Sequence, residues 1–232
     1  MSGQLHKRAV VLASGGLDST VTAAVAREDG YELYLLTLAY RQRHAVEIER
    51  AKQVACALKV EHHLVVTVDL QSIGGSALTG DFPVPKGRRD SERSGDVPVT
   101  YVPGRNLIFL SIAAAQAEAV GASVIYFGAN VVDYSGYPDC RPDFIKAVEE
   151  TLRLGSKVGM MGGRFEIRAP LLQMSKAEII RLGLALHAPL HLTHSCYDPA
   201  DELACGRCDS CLIRRRGFSE VGVVDPIPYA VS

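Results

Sequence analysis

Two short stretches of the chain hold most of the residues that could do chemistry. The first, VVLASGGLDST at 10–20, runs from apolar residues into a serine, two glycines, an aspartate and two hydroxyls. A strand that ends in a glycine-rich turn and passes into a helix makes an anion site. Backbone N–H groups converge there, and the helix N-terminus adds partial positive charge. Gly15 and Gly16 permit close backbone approach, and Ser14 and Ser19 can donate to phosphate oxygens. The run has neither the lysine of G-x-x-x-x-G-K-[ST] nor the spacing of G-x-G-x-x-G. Transfer of a terminal phosphate in the P-loop manner is therefore disfavoured, and a dinucleotide is unsupported. Asp18 is out of place in such a loop. It repels phosphate unless it caps the helix or helps hold Mg²⁺, an oxygen-bound cation commonly shared with phosphates.

The second stretch is SCYDPADELACGRCDSCLIRRRGF, with Cys196, Cys205, Cys208 and Cys211 spaced C-x8-C-x2-C-x2-C. Four thiolates this close can surround one tetrahedral Zn²⁺, and Gly206 suits the turn between two of them. An iron–sulfur cluster is the rival, since C-x2-C-x2-C opens the bacterial ferredoxin pattern. Here the fourth cysteine lies upstream and no Cys-Pro follows. With sulfur at every position the zinc would be structural, one ion per chain, leaving no place for an activated water. His187, His191 and His194 precede the cluster as alternative ligands. Cys56 falls in a helical pattern as a small core residue. Cys140, in a polar loop, could be a nucleophile.

Other polar clusters are spread between these two. YRQRHAVEIE (40–49) contains Gln42 and His44, and YVPGRN (101–106) places Arg105, a planar fork for phosphate or carboxylate, at a helix start. GANVVDYSGYPDCRPDF (128–144) brings Asp133, Tyr134, Tyr137, Asp139 and Arg141, aromatics for stacking and carboxylates to read a base edge. In LLQMSKAEII (171–180), Ser175 and Glu178 form a capping box. Lys176 is not needed for that cap and could be the positive charge missing from the first loop.

The elements that must position these groups follow from the hydrophobic pattern. Apolar runs at 7–13, 31–40, 62–70, 122–130 and 164–172 predict five strands, several of them continuous enough to be buried on both faces. Helical spacing covers 19–29, 44–59 and 105–121, the last ending at Gly121 as a C-cap. Strands alternating with helices imply an α/β, doubly wound, mainly parallel five-stranded sheet. Its ligands belong at the carboxyl ends of the strands, where SGGLDS falls. Residues 71–104, rich in Gly, Pro, Ser and charge, read as a mobile loop or lid. From Pro189 the chain turns irregular and cysteine-rich, so 1–188 is the α/β domain and 189–232 the zinc-binding region.

The 232 residues, 47% of them apolar, suffice for one such domain with a small appendage. A net charge of −1 offers no field to steer nucleic acid. No run approaches the roughly 20 apolar residues that cross a bilayer, and the first apolar run is too short for a signal peptide. The expected location is cytoplasmic, without a membrane partner. Thiols stay reduced there, so six cysteines argue for metal or chemistry rather than disulfides.

VVLASGGLDST closely resembles the pyrophosphate loop of the N-type ATP pyrophosphatases, the PP-loop superfamily. Those enzymes cleave ATP between its α- and β-phosphates, adenylate an oxygen of the substrate and release pyrophosphate. In order, SGGLDST, YRQRH, YVPGRN, GANVVDYSGYPDCRPDF, MSKAEI and the cysteine tail followed by RRGF resemble the 7-cyano-7-deazaguanine synthase family over nearly the whole chain. Arg41 stands where that family leads one to expect glycine, and DELA precedes Cys205 where a glycine is usual.

The resemblance implies that 7-carboxy-7-deazaguanine, ammonia and ATP give a nitrile through adenylated carboxylate and amide, in a homodimer. Leu12, Ala13, Ser14, Gly15, Gly16, Leu17, Asp18, Ser19 and Thr20 would hold ATP with Mg²⁺. Lys176 and Arg105 would join Asp18 in catalysis. Gln42, His44, Asp133, Tyr134, Tyr137, Asp139 and Arg141 would hold the deazapurine. Cys196, Cys205, Cys208 and Cys211 would carry the zinc. The rival within the superfamily is a transfer-RNA thiolase or lysidine-type ligase, which needs a larger basic surface or a sulfur-carrying cysteine pair. A zinc-ribbon binding module gripping phosphates with Arg214, Arg215 and Arg216 is a third reading.

Overall fold

The computed structural model describes residues 7–40, 46–80, 82–88, 97–132 and 136–230. Five strands form one sheet: β1 (Arg8–Leu12), β2 (Glu32–Ala39), β3 (His62–Thr67), β4 (Val124–Tyr126) and β5 (Glu166–Arg168). Their order is β3-β2-β1-β4-β5, and every pairing is parallel. The expected doubly wound α/β sheet is present. β4 and β5 have three residues each, far shorter than the apolar runs that contain them. Beyond Tyr126 the strand ladder gives way to isolated bonds, Phe127 N–H to Arg168 O and Val131 N–H to Leu172 O, as the chain leaves the sheet for the crevice.

Period-two alternation along the strands separates two cores. Val10, Leu12, Leu36, Leu38, Ile125 and Ile167 pack on one face with α3 (Arg105–Val120) and α4 (Pro142–Gly155). Ala9, Val11, Leu33, Leu35, Val124 and Tyr126 pack on the other with α1 (Leu17–Glu28) and α2 (Val46–Ala57). α3 approaches closely because Ala113, Ala114 and Ala117 line its buried side, and it ends at Gly121 in the left-handed conformation, as expected. α4, which the hydrophobic reading does not single out, starts at Pro142, a favoured first-turn residue. The chain winds from β1 out to β3, then returns to place β4 on the other side of β1. The carboxyl ends of β1 and β4 are thus the switch point where such sheets open a crevice.

After a single-turn α5 (Lys157–Met160) come α6 (Lys176–Ala185) and α7 (Asp209–Val221), which pack on α1 through Leu17, Val21, Ile179, Ile180, Leu190 and Phe218. The cysteine-rich end is therefore not irregular throughout, since it closes with a 13-residue helix. Its four cysteines share a core with Leu70, Ala77, Leu78, Val84 and Val102. The described parts of 71–104 are thereby seated against the cysteine region, with Gly87 N–H donating to Arg207 O at 2.9 Å. Among the described residues no helix is long and apolar enough to cross a membrane.

Candidate active site

β1 delivers the chain to the crevice and the glycine-rich turn follows at once. Gly15 has φ +78°, and a Cβ there would lie 2.4 Å from Glu47 O and 2.7 Å from Ala51 N. Only glycine lets the loop rest directly on α2. Ser14 Oγ and Ser19 Oγ lie 3.0 Å apart, Ser14 N–H donates to Ser19 Oγ at 3.1 Å, and Ser14 Oγ also accepts from Gly16 N–H at 3.3 Å. These hydroxyls hold the turn open around the N-terminus of α1. No side chain of the N-cap residue, Gly16, can close it.

Asp18 lies in the first turn of α1, and its Oδ1 is 2.5 Å from Lys176 Nζ. Lys176 is the first residue of α6, after the Ser175–Glu178 capping box, which is complete. Ser175 Oγ accepts from Glu178 N–H, and Glu178 Oε2 accepts from Ser175 N–H at 2.7 Å. The box fixes the helix start, and the lysine extends from it to a loop 158 residues earlier. A lysine is thus present at this phosphate-type loop, supplied from another element.

The loop forms one end of a cavity of about 260 Å³. Leu12, Ala13, Ser14, Gly16, Leu17, Asp18, Ser19, Lys176, Arg105 and Tyr137 line it, so ten of the residues expected from the sequence meet there. Gly15 and Thr20 are placed differently: Gly15 backs onto α2, and Thr20 is buried in the interior. Asp139 lies behind the wall, where its Oδ2 accepts from Asn106 N–H at 3.1 Å, and Arg141 is exposed with Nε on Pro138 O. Gln42, His44, Asp133 and Tyr134 lie outside the described residues.

A second set of groups at the cavity is built around Arg105. Burial works against its charge, but Tyr40, Tyr137, Asp139 and Tyr197 outweigh this and hold its pKa above the ordinary value. Burial pushes the Tyr40 phenol up to about 12 and raises that of Tyr137, whose hydroxyl meets Thr100 Oγ1 at 2.9 Å. Both are neutral donors at pH 7. Burial also raises the carboxyl of Asp139 against the hydrogen bond from Asn106, and its Oδ1 has no hydrogen-bond partner among the described residues. Cys140 is a buried thiol pushed up to about 12 by desolvation, with Asn106 Nδ2 3.4 Å from its sulfur. Desolvation thus disfavours the thiolate that the nucleophile considered from the sequence would need.

Sequence reasoning missed several lining residues. Thr37 and Tyr40 at the carboxyl end of β2, with Asn106 and Phe109 on α3, were findable from the rule that strand ends carry the site. Ser195 and Tyr197 also line it, and nothing in the sequence marks them except that they flank Cys196.

Beside the cavity the four cysteine sulfurs lie within 4.8 Å of one another, with Cys196 to Cys208 and Cys205 to Cys211 both at 4.0 Å. A tetrahedral ion with sulfur at about 2.3 Å separates its ligands by about 3.8 Å, so the set could hold a metal such as zinc. Backbone N–H groups of Asp198 and Cys205 point at Cys196 Sγ, and those of Arg207 and Cys208 at Cys205 Sγ, all within 3.4 Å. Such donors favour thiolates. Gly206 turns between them at φ +70°. Asp201 has φ +53°, a left-handed conformation uncommon for a residue other than glycine. None of His187, His191 and His194 belongs to the sulfur cluster. Of the arginine run, only Arg214 is withdrawn from solvent. Arg214 is buried against Asp225 at 2.8 Å, Arg215 lies over the Tyr229 ring and Arg216 pairs with Glu220.

Comparison with known proteins agrees with this geometry. The family model described as "Queuosine biosynthesis protein QueC" matches residues 8–222. The 7-cyano-7-deazaguanine synthase of Myxococcus xanthus is 55% identical over 227 residues, covering 97% of this chain and 99% of the relative. That of Solidesulfovibrio magneticus is 56% identical over 234 residues and covers both chains fully. Among solved structures, a predicted subunit of tRNA methyltransferase from Methanocaldococcus jannaschii superposes with a TM-score of 0.50 at 16% identity, over 97% of this chain and 94% of that one. A 4-thiouridine synthetase in complex with RNA and ATP gives 0.50 at 19% identity, over 93% and 50%. These two likenesses speak to the fold alone.

Proposed function

The chain belongs to the family of the queuosine biosynthesis protein QueC, and from that premise we propose the reaction and the role of each residue. It is an ATP-dependent ligase, a 7-cyano-7-deazaguanine synthase. The substrate is 7-carboxy-7-deazaguanine and the nitrogen comes from ammonia. A carboxylate oxygen attacks the α-phosphorus of ATP, giving an acyl adenylate and pyrophosphate. Ammonia displaces AMP with loss of a proton and leaves the amide. The amide oxygen is adenylated in turn by a second ATP, and loss of AMP and a proton yields the nitrile. Both steps use one site, in keeping with one glycine-rich loop. The functional unit is a homodimer.

The observation that carries this reading is the Lys176–Asp18 pair at the loop, facing a cavity that Arg105 also lines. Ser14, Ser19 and the N-terminus of α1 would hold the departing pyrophosphate. Lys176 would neutralise the charge developing on it, as pre-aimed cations do in phosphoryl chemistry. Arg105 is suited to the substrate carboxylate, with Tyr40, Phe109 and Tyr137 as the surfaces beside the heterocycle. Gln42, His44, Asp133 and Tyr134 complete the proposed substrate set, with Asp139 holding the start of α3. Asp18 offers the hard oxygen ligand that Mg²⁺ takes, and Mg²⁺ would supply charge neutralisation at the phosphates. The four thiolates would hold one Zn²⁺, which supplies structural rigidity only, since sulfur occupies every position.

The test is incubation of the pure protein with ATP, Mg²⁺, ammonium and 7-carboxy-7-deazaguanine. The base is identified by mass spectrometry and the phosphates by phosphorus NMR. Nitrile with two AMP and two pyrophosphate per base is expected. ADP and phosphate would replace adenylation by phosphorylation. An unconsumed base, with salt-sensitive binding of transfer RNA, would hand the site to a transfer-RNA-modifying ligase or thiolase.

A further inference from the structure

The glycine-rich loop is clasped by a segment from the far end of the chain. Gly16, at the N-cap position of α1, has no side chain to offer the helix. Leu17 N–H instead donates to Ser195 Oγ at 3.3 Å, across 178 residues of sequence. One residue earlier, His194 N–H donates to Gly15 O at 2.9 Å. One residue later, Cys196 is a buried member of the four-sulfur cluster. Ser195 lines the cavity on the same side as Ser14, Asp18 and Lys176.

A hydroxyl has one proton and two lone pairs. Leu17 N–H takes a lone pair of Ser195, and among the described residues the Ser195 proton has no acceptor. The hydroxyl therefore presents a donor at the spot where the α1 N-terminus concentrates positive potential. An anion seated there can draw on that proton without breaking the bond from Leu17.

We propose that Ser195 is a pyrophosphate-binding residue: its hydroxyl donates to an oxygen of the departing pyrophosphate, and Cys196, anchored among the four sulfurs, holds it in place. This rests on the reading of 10–20 as a pyrophosphate loop. It also gives the cysteine cluster a part in the reaction without any chemistry at the metal. The cluster fixes the register of a segment that contributes directly to the nucleotide site.

Removing a hydrogen bond to a charged group should weaken binding by about ten-fold or more. The full-length, zinc-replete chain and its Ser195→Ala and Ser195→Thr variants are titrated calorimetrically with inorganic pyrophosphate plus Mg²⁺, and separately with AMP. Zinc content and melting temperature are measured on each preparation. Ser195→Ala should weaken pyrophosphate about ten-fold, leave AMP affinity and zinc content unchanged, and lower kcat/KM for ATP in proportion. Ser195→Thr should restore most of the loss. Unchanged pyrophosphate affinity with a lower melting temperature would reduce Ser195 to a helix cap and overturn the proposal. So would equal weakening of pyrophosphate and AMP together with loss of zinc, because the substitution would then act by loosening the cluster. If the unsubstituted chain binds no pyrophosphate, the loop reading fails and the proposal with it. Pyrophosphate binding that is indifferent to Ser195 removes the proposal alone.

Discussion

Gly217 lies on α7 where that helix crosses α6. A Cβ there would stand 2.6 Å from Lys176 Cγ, 3.0 Å from Lys176 Cβ and 2.9 Å from Ile180 Cδ1. Carbon atoms settle at about 3.5–4.0 Å, so Gly217→Ala requires the helices to part by roughly 1 Å. The lysine atoms concerned are next to its backbone, and rotation of the far end of the side chain cannot relieve the clash. Alanine for glycine inside a helix ordinarily stabilises by about 0.5–1 kcal/mol, while overpacking costs about 1–3 kcal/mol. The net effect is a loss of up to about 2 kcal/mol. At about 2–4 °C per kcal/mol for a chain of this length, the melting temperature falls by up to about 8 °C. Activity falls further than stability, because the ammonium of Lys176 sits 2.5 Å from Asp18 Oδ1 and moves with α6. A misplacement of about 1 Å can cost about 10²-fold, so kcat/KM for ATP should drop by about 10- to 100-fold. AMP release measures the kinetics and circular dichroism the melting. Gly155→Ala on α4 is the control, since nothing lies within 4 Å of the added Cβ, and it should leave turnover unchanged. A Gly217→Ala variant that melts higher and turns over normally would refute the claim that α7 holds the lysine in place.

Four other outcomes follow from the same contacts. Lys176→Met keeps the apolar stem and should lower kcat by about 10²- to 10³-fold with the fold intact, measured by AMP release and far-ultraviolet dichroism. Cys140→Ser should retain turnover within about two-fold, because the thiol is neutral at pH 7. The folded thiol is raised to about 12, so its stabilisation is complete below the unfolded value of about 8.5 and is lost as pH climbs toward 12. Cys140→Ser should therefore flatten the alkaline fall in melting temperature, and Tyr40, also raised to about 12, should leave part of it. Cys208→Ser should bind less than one equivalent of zinc and melt early or fail to fold, since zinc sites contribute about 10–16 kcal/mol against a total stability of about 5–15 kcal/mol; a normal melting temperature without zinc would remove the structural role. With the substrate carboxylate labelled by ¹⁸O, each AMP should carry one labelled oxygen by phosphorus NMR, because both carboxylate oxygens leave on AMP; unlabelled AMP would exclude adenylation.

The centre of the sheet was legible because its strands are apolar on both faces: the consecutive residues Val10 and Val11 of β1 enter different cores, and both are fully buried. The loop at 10–20 and the cysteine spacing were legible because each is a local pattern whose function depends on consecutive residues. α4 and α7 were less visible. Seven of the 13 residues of α7 are buried, yet its low mean hydropathy hides them, because buried Arg214 and Asp209 hold polar partners that only the fold supplies. The second set of groups at the cavity was illegible for the same reason. Arg105, Tyr40 and Tyr197 converge from α3, β2 and the cysteine tail, and no spacing records that meeting. Arg141 differs from these. Its charge and its motif point to the site, while in the structure its guanidinium donates to Pro138 O.

Asp18 also becomes intelligible only with the fold. A lysine facing a phosphate loop with no counter-ion would bind anions tightly, and a product such as pyrophosphate would leave slowly. Lys176 is almost fully buried, so its charge needs compensation when the nucleotide is absent, and Asp18 contributes to it at 2.5 Å. When the loop fills, each member of the pair can exchange the other for a ligand of the nucleotide, the ammonium for phosphate oxygens and the carboxylate for the cation that accompanies them. On the proposed mechanism, when pyrophosphate departs the pair would re-form and offset the loss of both contacts. The binding energy left over is the difference between two sets of ion pairs rather than the full value of one. Such a balance suits an enzyme that must empty and refill one nucleotide site twice for each molecule of product. Asp18→Asn tests the balance directly: by removing the carboxylate charge that competes with the anion for Lys176, it should tighten pyrophosphate in the absence of Mg²⁺ by about ten-fold or more. Unchanged or weaker pyrophosphate binding under that condition would mean that the pair does not compete with the anion.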